Sequence, residues 1–253
     1  MISLQDQVAV VTGGSRGIGR ATVKLLAESG CRVVFSYHTD LPAAQSLERE
    51  IAESGGEAIA VGADLRRRAE AEAVIEEAEG RFGRVDVLVA NAGIWRVDPV
   101  PLEEMTDEEW DETLDLNLKG VFYVVRAALP RMKERRQGRV ILVSSTAGQR
   151  GEAFHAHYAA SKSALIGLTK SLAVEAAATG VLVNCVAPGW VDTDMSAPVL
   201  SGPTGDAVFA TIPLGRAGRP EEIAGPILFL ASPLATFITG EVLNVNGGSV
   251  LCG

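Results

Sequence analysis

Tyr158 and Lys162, in the run Tyr158-Ala159-Ala160-Ser161-Lys162, set a phenol and an ammonium one helical turn apart, and Ser145 precedes the phenol by thirteen residues. On a helix, positions i and i+4 share a face, so the lysine charge sits beside the tyrosine hydroxyl and favours its ionised form. An ordinary tyrosine, with a pKa of about 10, is a poor base at neutral pH. Lowering that value by about three units takes roughly 4 kcal/mol of preferential stabilisation of the phenolate. One ammonium at ~4 Å and an effective dielectric near ~20 supplies about that much. The spacing therefore predicts a proton donor and acceptor that works near neutral pH. An ordinary helix surface carries the same two residues, so other parts of the chain must decide.

The run Thr12-Gly13-Gly14-Ser15-Arg16-Gly17-Ile18-Gly19 lies between an N-terminal apolar stretch and a helix-forming segment that begins near Gly17. Glycines let backbone N–H groups approach a pyrophosphate, the helix start adds positive potential, and Gly19 permits close packing of helix on strand. The spacing is GxxxGxG, wider than the common GxGxxG fingerprint, and its placement predicts dinucleotide binding. An acid at the end of the second strand usually accepts a hydrogen bond from the ribose 2′-hydroxyl. Here Ser36-Tyr37-His38-Thr39 stands instead. A 2′-phosphate could meet Arg16 and the hydroxyl of Ser36 or Thr39, which favours NADP(H) over NAD(H). Asp40 could still reach the ribose if the loop turns back.

Positioning these groups requires a scaffold. Residues 8–11, 32–37, 58–61, 85–90, 139–144, 181–187 and 242–245 are short β-branched or apolar runs. Continuous apolarity, rather than alternation, marks strands covered on both faces. Helix-length segments separate them. Thr106 and Glu109 have capping-box spacing, and Gly30 stands where a residue just past a helix would be. These signals predict an α/β fold, a single Rossmann-type doubly wound domain over residues 1–253 with a seven-stranded parallel sheet. Residues 192–219, rich in proline and glycine, break the alternation and read as an insertion or substrate lid.

With 253 residues, 47% hydrophobic content and 27 glycines, the chain suits one compact aliphatic core. A net charge of −9 argues against a general nucleic-acid or anionic-membrane surface. Arg131, Lys133, Arg135, Arg136 and Arg139 read as the solvated end of a helix. The N-terminal apolar run is too short for a signal core or membrane span, so a cytoplasmic protein is expected. Cys31, Cys185 and Cys252 lack disulfide or zinc spacing and suit core packing, and His38, His155 and His157 are too few to assign a metal.

The glycine loop, Asn91-Ala92-Gly93 after the fourth strand, Ser145, the Tyr158/Lys162 pair and Pro188-Gly189 together resemble the short-chain dehydrogenase/reductase family over almost the entire chain. The resemblance implies that Tyr158 is the acid/base, that Ser145 bonds the substrate oxygen, and that Lys162 contacts the nicotinamide ribose and lowers the Tyr158 pKa. It implies that Asn117 completes a tetrad by holding a relay water. It places Asp64-Leu65 at the adenine, Asn91, Ala92 and Gly93 along the ribose, and Val191 and Thr193 at the nicotinamide carboxamide. The implied reaction is hydride transfer between nicotinamide and a ketone or secondary alcohol. Trp95, Glu152, Phe154, His155, Trp190 and Met195 fall in segments expected to border the active-site mouth.

The layout is closest to 3-oxoacyl-carrier-protein reductases and to bacterial sugar or polyol dehydrogenases. Arg136 fits a basic position for an acyl carrier protein, whereas Val174 and Thr179 depart from that pattern. The family further implies a homotetramer built through the helices around Asn117 and Tyr158 and the C-terminal strand. A dinucleotide-binding sensor without turnover is the reading from another class, and the intact tetrad argues against it.

Overall fold

The computed structural model describes residues 2–251, so Cys252 lies outside the described residues. The strands are β1 (Val8–Val11), β2 (Arg32–Tyr37), β3 (Glu57–Gly62), β4 (Val87–Ala90), β5 (Gly138–Val143), β6 (Val181–Pro188) and β7 (Val242–Val245). They pair in parallel in the order β3-β2-β1-β4-β5-β6-β7. The order reverses direction between β1 and β4, and ligands of open α/β sheets bind in the crevice at the carboxyl ends of such strands. All seven expected strands are present. Every residue of β1 and β4 is buried, as continuous apolarity requires when both faces are covered.

The helices are α1 (Gly17–Glu28), α2 (Leu41–Glu53), α3 (Arg68–Phe82), α4 (Asp107–Leu114), α5 (Val121–Arg135), α6 (Thr146–Arg150), α7 (Ala156–Ala176), α8 (Ala197–Leu200), α9 (Gly205–Ala210) and α10 (Pro220–Ala231). On one face of the sheet, Val74 and Ile75 of α3, Val124 and Met132 of α5 and Leu165 of α7 form a single core with β1, β4 and β5. On the other, Leu26, Leu47 and Ile227 of α1, α2 and α10 do the same. Each such side chain contributes about 1.5–3 kcal/mol by leaving water, which holds the strand ends rigidly enough to carry a site.

Local signals act where expected. Thr106 Oγ1 accepts from Glu109 N at 3.2 Å while Glu109 Oε2 accepts from Thr106 N at 3.0 Å, closing the capping box of α4. Gly30 follows α1 with φ +94°, a conformation that suits glycine. Asp115–Gly120, between α4 and α5, is a π turn, a feature concentrated at functional sites.

The basic cluster is only partly a helix end. Arg131 pairs with Glu79 at 2.9 Å, Lys133 with Glu175 at 2.7 Å, and Arg136 donates to Ala178 O at 2.8 Å. Arg139 is instead the second residue of β5, where burial pulls its pKa down. Cys31 and Cys185 are buried in the core. Between residues 192 and 219 the chain forms α8 and α9, and its base is closed by Asp192 N to Gly218 O at 2.8 Å and Gly218 N to Trp190 O at 2.9 Å. No helix among the described residues is long and apolar enough to cross a membrane.

Candidate active site

The carboxyl end of β1 is stitched to that of β4. Thr12 Oγ1 accepts from Asn91 N and Ala92 N, each at 3.0 Å. Asn91 Nδ2 donates back to Thr12 O at 3.0 Å and Gly13 O at 3.2 Å. From β2, Ser36 accepts the Gly13 N–H on its hydroxyl at 3.1 Å and the Gly14 N–H on its carbonyl at 2.8 Å. A Cβ at Gly19 would lie 2.0 Å from Gly13 O, so no side chain fits there. Helix α1 has neither a side-chain cap nor an acid in its first turn. Its leading amides are therefore free to meet an anion, and Ser15, Gly17, Ile18 and Gly19 line the cavity at that point.

That cavity, about 760 Å³, runs from the glycine loop past Asn91–Gly93 to Ser145 and Tyr158. At the adenosine end, Arg16 is 57% exposed, with Asp40 at 3.9 Å and Asp194 at 4.0 Å. Asp40 does turn back to line the cavity: its Oδ1 takes the Ala43 N–H at 3.0 Å and caps α2, while Oδ2 lies toward Arg16. Tyr37 lies against β3, where a Cβ on Gly62 would stand 3.2 Å from the phenol oxygen. Asp64 is gripped by Arg66 through bonds of 2.8 and 2.9 Å, which hold its carboxyl below the usual range. Leu65 is buried beside it.

The tetrad converges from three places in the fold: the end of β5, α7 and the π turn. Ser145 follows β5 and caps α6, accepting from Ala147 N at 3.1 Å, and its hydroxyl acts on the Tyr158 phenol so as to favour the ionised form. Tyr158 and Lys162 share one face of α7. Lys162 Nζ donates to Val143 O at 2.9 Å and sits 5.7 Å from the centre of the Tyr158 ring. From the π turn, Asn117 Oδ1 accepts from Ile94 N at 2.8 Å, and Nδ2 donates to Ile94 O at 2.9 Å and Ser161 Oγ at 3.2 Å. A Cβ on Gly93 would come within 3.1 Å of Asn117 Oδ1 and 3.3 Å of Lys162 Nζ, so the bare backbone there lets both approach. Ser144 is structural, donating to Lys162 O at 2.7 Å.

The electrostatics differ from the expected acidified phenol. Burial pushes Tyr158 up to about 12, opposed by the Ser145 hydrogen bond and reinforced by the Glu152 charge. Burial also pulls Lys162 down to about 8. Desolvation outweighs the Coulomb attraction because the ammonium is turned toward a backbone carbonyl instead of lying against the phenol oxygen.

Near β6, Gly189 N donates to Val245 O at 3.1 Å and Val191 is buried. Thr193 faces the glycine loop, its Cγ2 being 3.1 Å from where a Gly17 Cβ would be, and its N–H donates to Ser196 Oγ at 3.2 Å. At the substrate end Trp95 and Trp190 both line the cavity, in edge-to-face contact at 5.7 Å. His155 does not reach it. It is buried behind Trp95, stacked at 5.1 Å. Phe154 is also displaced from its expected place: a left-handed backbone (φ +65°) leaves its ring 57% exposed, away from the cavity-lining residues.

A family model described as enoyl-(acyl carrier protein) reductase matches residues 13–249. The chain belongs to the short-chain dehydrogenase/reductase family. Curated members include a 3-oxoacyl-[acyl-carrier-protein] reductase of Synechocystis sp., 45% identical across 99% of this chain and 100% of the relative. The corresponding reductase of Vibrio cholerae is 43% identical across 98% of each. Among solved structures, a short chain dehydrogenase from Burkholderia cenocepacia in complex with NADP superposes with a TM-score of 0.90 at 35% identity, covering 97% of this chain and 98% of that one.

Within this short-chain dehydrogenase/reductase, sequence reasoning passed over several residues. Arg66 and His38 line the adenosine end, and Arg66 uses up the Asp64 carboxylate expected to serve the adenine. The Asp64-Leu65-Arg66 spacing was the available signal. Ser36, expected near a 2′-phosphate, is 2% exposed and its hydroxyl braces the glycine loop. Both ends of the Asn117 amide are bonded to protein groups, so it acts first as a brace between the Ile94 backbone and α7.

Proposed function

We propose that the protein reduces a ketone to a secondary alcohol with NADPH, acting on substrates of the 3-oxoacyl-thioester kind named for its relatives. The observation that carries this reading is one cavity with an uncapped helix start at one end and Ser145, Tyr158 and Lys162 gathered at the other. The NADP in the Burkholderia structure supports the cofactor. So does the absence of an acid between Ser36 and Thr39, with Arg16 exposed nearby.

NADPH, when bound, supplies the hydride that reaches the carbonyl carbon. The chain supplies the rest. Ser15, Gly17, Ile18 and Gly19 hold the pyrophosphate, Asn91, Ala92 and Gly93 border the ribose, and Pro188, Gly189, Val191 and Thr193 orient the amide end of the nicotinamide. A phenol held at about 12 is protonated at neutral pH, so Tyr158 is poised to give its proton to the carbonyl oxygen. Ser145 donates its one hydroxyl proton to a hydrogen bond with that oxygen and stabilises the charge developing there. Lys162 contacts the ribose and returns a proton to Tyr158, while Asn117 fixes the backbone around it.

Residues 1–253 form one catalytic domain in this reading, with 192–219 as a lid over the substrate. In this reading the protein works in the cytoplasm as a homotetramer and takes acyl carrier protein as a possible partner. Exposed Phe122 on α5, Val174 on α7 and Phe237 before β7 provide apolar surface on the elements expected to meet other subunits.

The test is a panel of ketones assayed with NADPH and NADH at 340 nm (roughly the absorption of the reduced nicotinamide). Tyr158→Phe should lower kcat by at least about 10³-fold with NADPH affinity unchanged. Arg16→Ala should narrow the preference for NADPH over NADH by about tenfold. Cofactor binding with no turnover of any ketone by the wild type would sink the reading in favour of a sensor.

A further inference from the structure

A ketone carbon carries two substituents, so a site that reduces one must receive both. Trp95 and Trp190, each partly buried, line the cavity at the substrate end. Trp95 is held from three directions. It donates its indole N–H to Glu152 Oε1 at 3.1 Å, the buried His155 ring stacks on it at 5.1 Å, and Trp190 meets it at 88° and 5.7 Å. His155 is fixed in turn, its Nδ1 lying 3.2 Å from Ala153 O. Elsewhere in the same lining, Arg150, Gly151 and Met195 are exposed to solvent.

A 3-oxoacyl thioester presents an alkyl end on one side of its ketone and, on the other, a thioester joined to a carrier arm. The arm has to leave the cavity, which the exposed stretch at Arg150, Gly151 and Met195 allows. The alkyl end then falls to the indoles, whose apolar bodies match it. Each methylene that finds room there gains roughly fourfold in affinity. Room is what the wall limits. Trp95 cannot swing aside without breaking its bond to Glu152 and uncovering the His155 ring, and crowding a fixed wall is penalised. A longer alkyl end therefore meets an indole instead of a channel.

We propose that Trp95 is a specificity-determining residue that closes the alkyl side of the site and restricts it to 3-oxoacyl thioesters with a short acyl chain. The assignment rests on the reading of the protein as a reductase of such thioesters. It deepens that reading by fixing which chain lengths the substrate end takes.

The test measures binding and turnover side by side. The N-acetylcysteamine thioesters of 3-oxobutanoate and 3-oxooctanoate carry the same short arm and differ only in the length of the alkyl end. Each is titrated calorimetrically into the protein saturated with NADP⁺ and assayed separately with NADPH. Wild type should bind the butanoate compound at least about tenfold more tightly than the octanoate compound. Trp95→Ala should erase or reverse that preference, tightening the octanoate compound at least about tenfold as methylenes enter the vacated space. Retained NADPH affinity shows that the variant is folded. Should it be lost, Trp95→Phe, which thins the wall without emptying it, decides by a smaller shift of the same sign. The proposal is overturned if wild type binds the octanoate compound as tightly as the butanoate compound or more so, if neither binds, or if a folded Trp95 variant keeps the wild-type ratio. A ranking that Trp95→Ala abolishes, with no oxidation of NADPH by either thioester, would uphold the wall and count against the reductase reading. Oxidation with both thioesters at equal KM would uphold the reductase and overturn the wall.

Discussion

At the pyrophosphate end of the cavity, Thr12, Ser36 and Asn91 spend their side-chain hydrogen bonds on backbone groups of two neighbouring strand ends and the loop between them. At the substrate end, Trp95 and Trp190 line the cavity in edge-to-face contact, Glu152 takes the Trp95 indole N–H, and Phe154 holds a left-handed backbone. The contrast separates what the family shares from what distinguishes this chain. Binding a constant cofactor rewards a cradle completed in advance, since ordering costs are then met on folding rather than on binding. Selecting a particular substrate falls instead to the shape and chemistry of the side chains that line its wall.

The sharpest way to break this contrast is to disturb the completed end. In Gly19→Ala the new methyl would lie 2.0 Å from Gly13 O. If the loop is as fixed as its hydrogen bonds to Asn91 and Ser36 imply, it cannot yield without losing them. Overpacking of this kind costs about 3 kcal/mol, roughly a hundredfold in affinity. NADPH titration should show that loss. A change below tenfold would mean that the cradle adapts and that the two ends do not differ in rigidity.

Lys162 stands between the ends, and pH reads its burial. An unfolded lysine keeps its proton to about pH 10.4, whereas native Lys162 gives it up at about 8. Between those values the unfolded chain binds more protons, so stability rises with pH across the window, and the penalty of burying the charge is fully present below it. Tyr158 acts oppositely at higher pH. The native phenol holds its proton to about 12 and the unfolded one releases it near ~10, so stability falls from there upward. Urea unfolding of the protein alone between pH 8 and 10 should therefore show a gain of about 2 kcal/mol from this lysine, absent in Lys162→Met. Equal slopes in the two proteins would show that the native lysine is not desolvated.

The completed end was also the legible end. Apolar runs marked every strand, and the glycine loop stands out because backbone approach to a phosphate demands a particular residue type at particular positions. The substrate end depends on contacts that no local pattern encodes. Whether His155 faces a cavity or lies behind Trp95 is settled by a loop whose turn is fixed by Val100 N donating to Phe154 O at 2.9 Å, across more than fifty residues of chain. Likewise, i and i+4 spacing put Lys162 on the same face as Tyr158, yet the direction of the phenol's shift depended on desolvation and on the Val143 carbonyl that claims the ammonium. Spacing along a helix reports proximity. It does not report the dielectric around it.

Phe154 gives the smallest test and bears on why the substrate end is built with strain. A non-glycine residue in the left-handed region costs about 1–2 kcal/mol, and a ring that is 57% exposed recovers little of it by burial. Asparagine tolerates that backbone without glycine's additional loss of freedom on folding, and Phe154→Asn keeps the carbonyl that Val100 holds. The substitution should raise stability by about 1 kcal/mol, a Tm increase of roughly 2–4 °C for a chain of this size. If Tm falls instead, the phenyl ring is covered by something in solution, and the surface beside Glu152 is a contact rather than an open rim. If Tm rises while the KM values of the ketone panel are unchanged, the strain is incidental. If Tm rises and those KM values climb, the strained turn helps shape the substrate end, and the cost of the left-handed phenylalanine is tied to substrate choice.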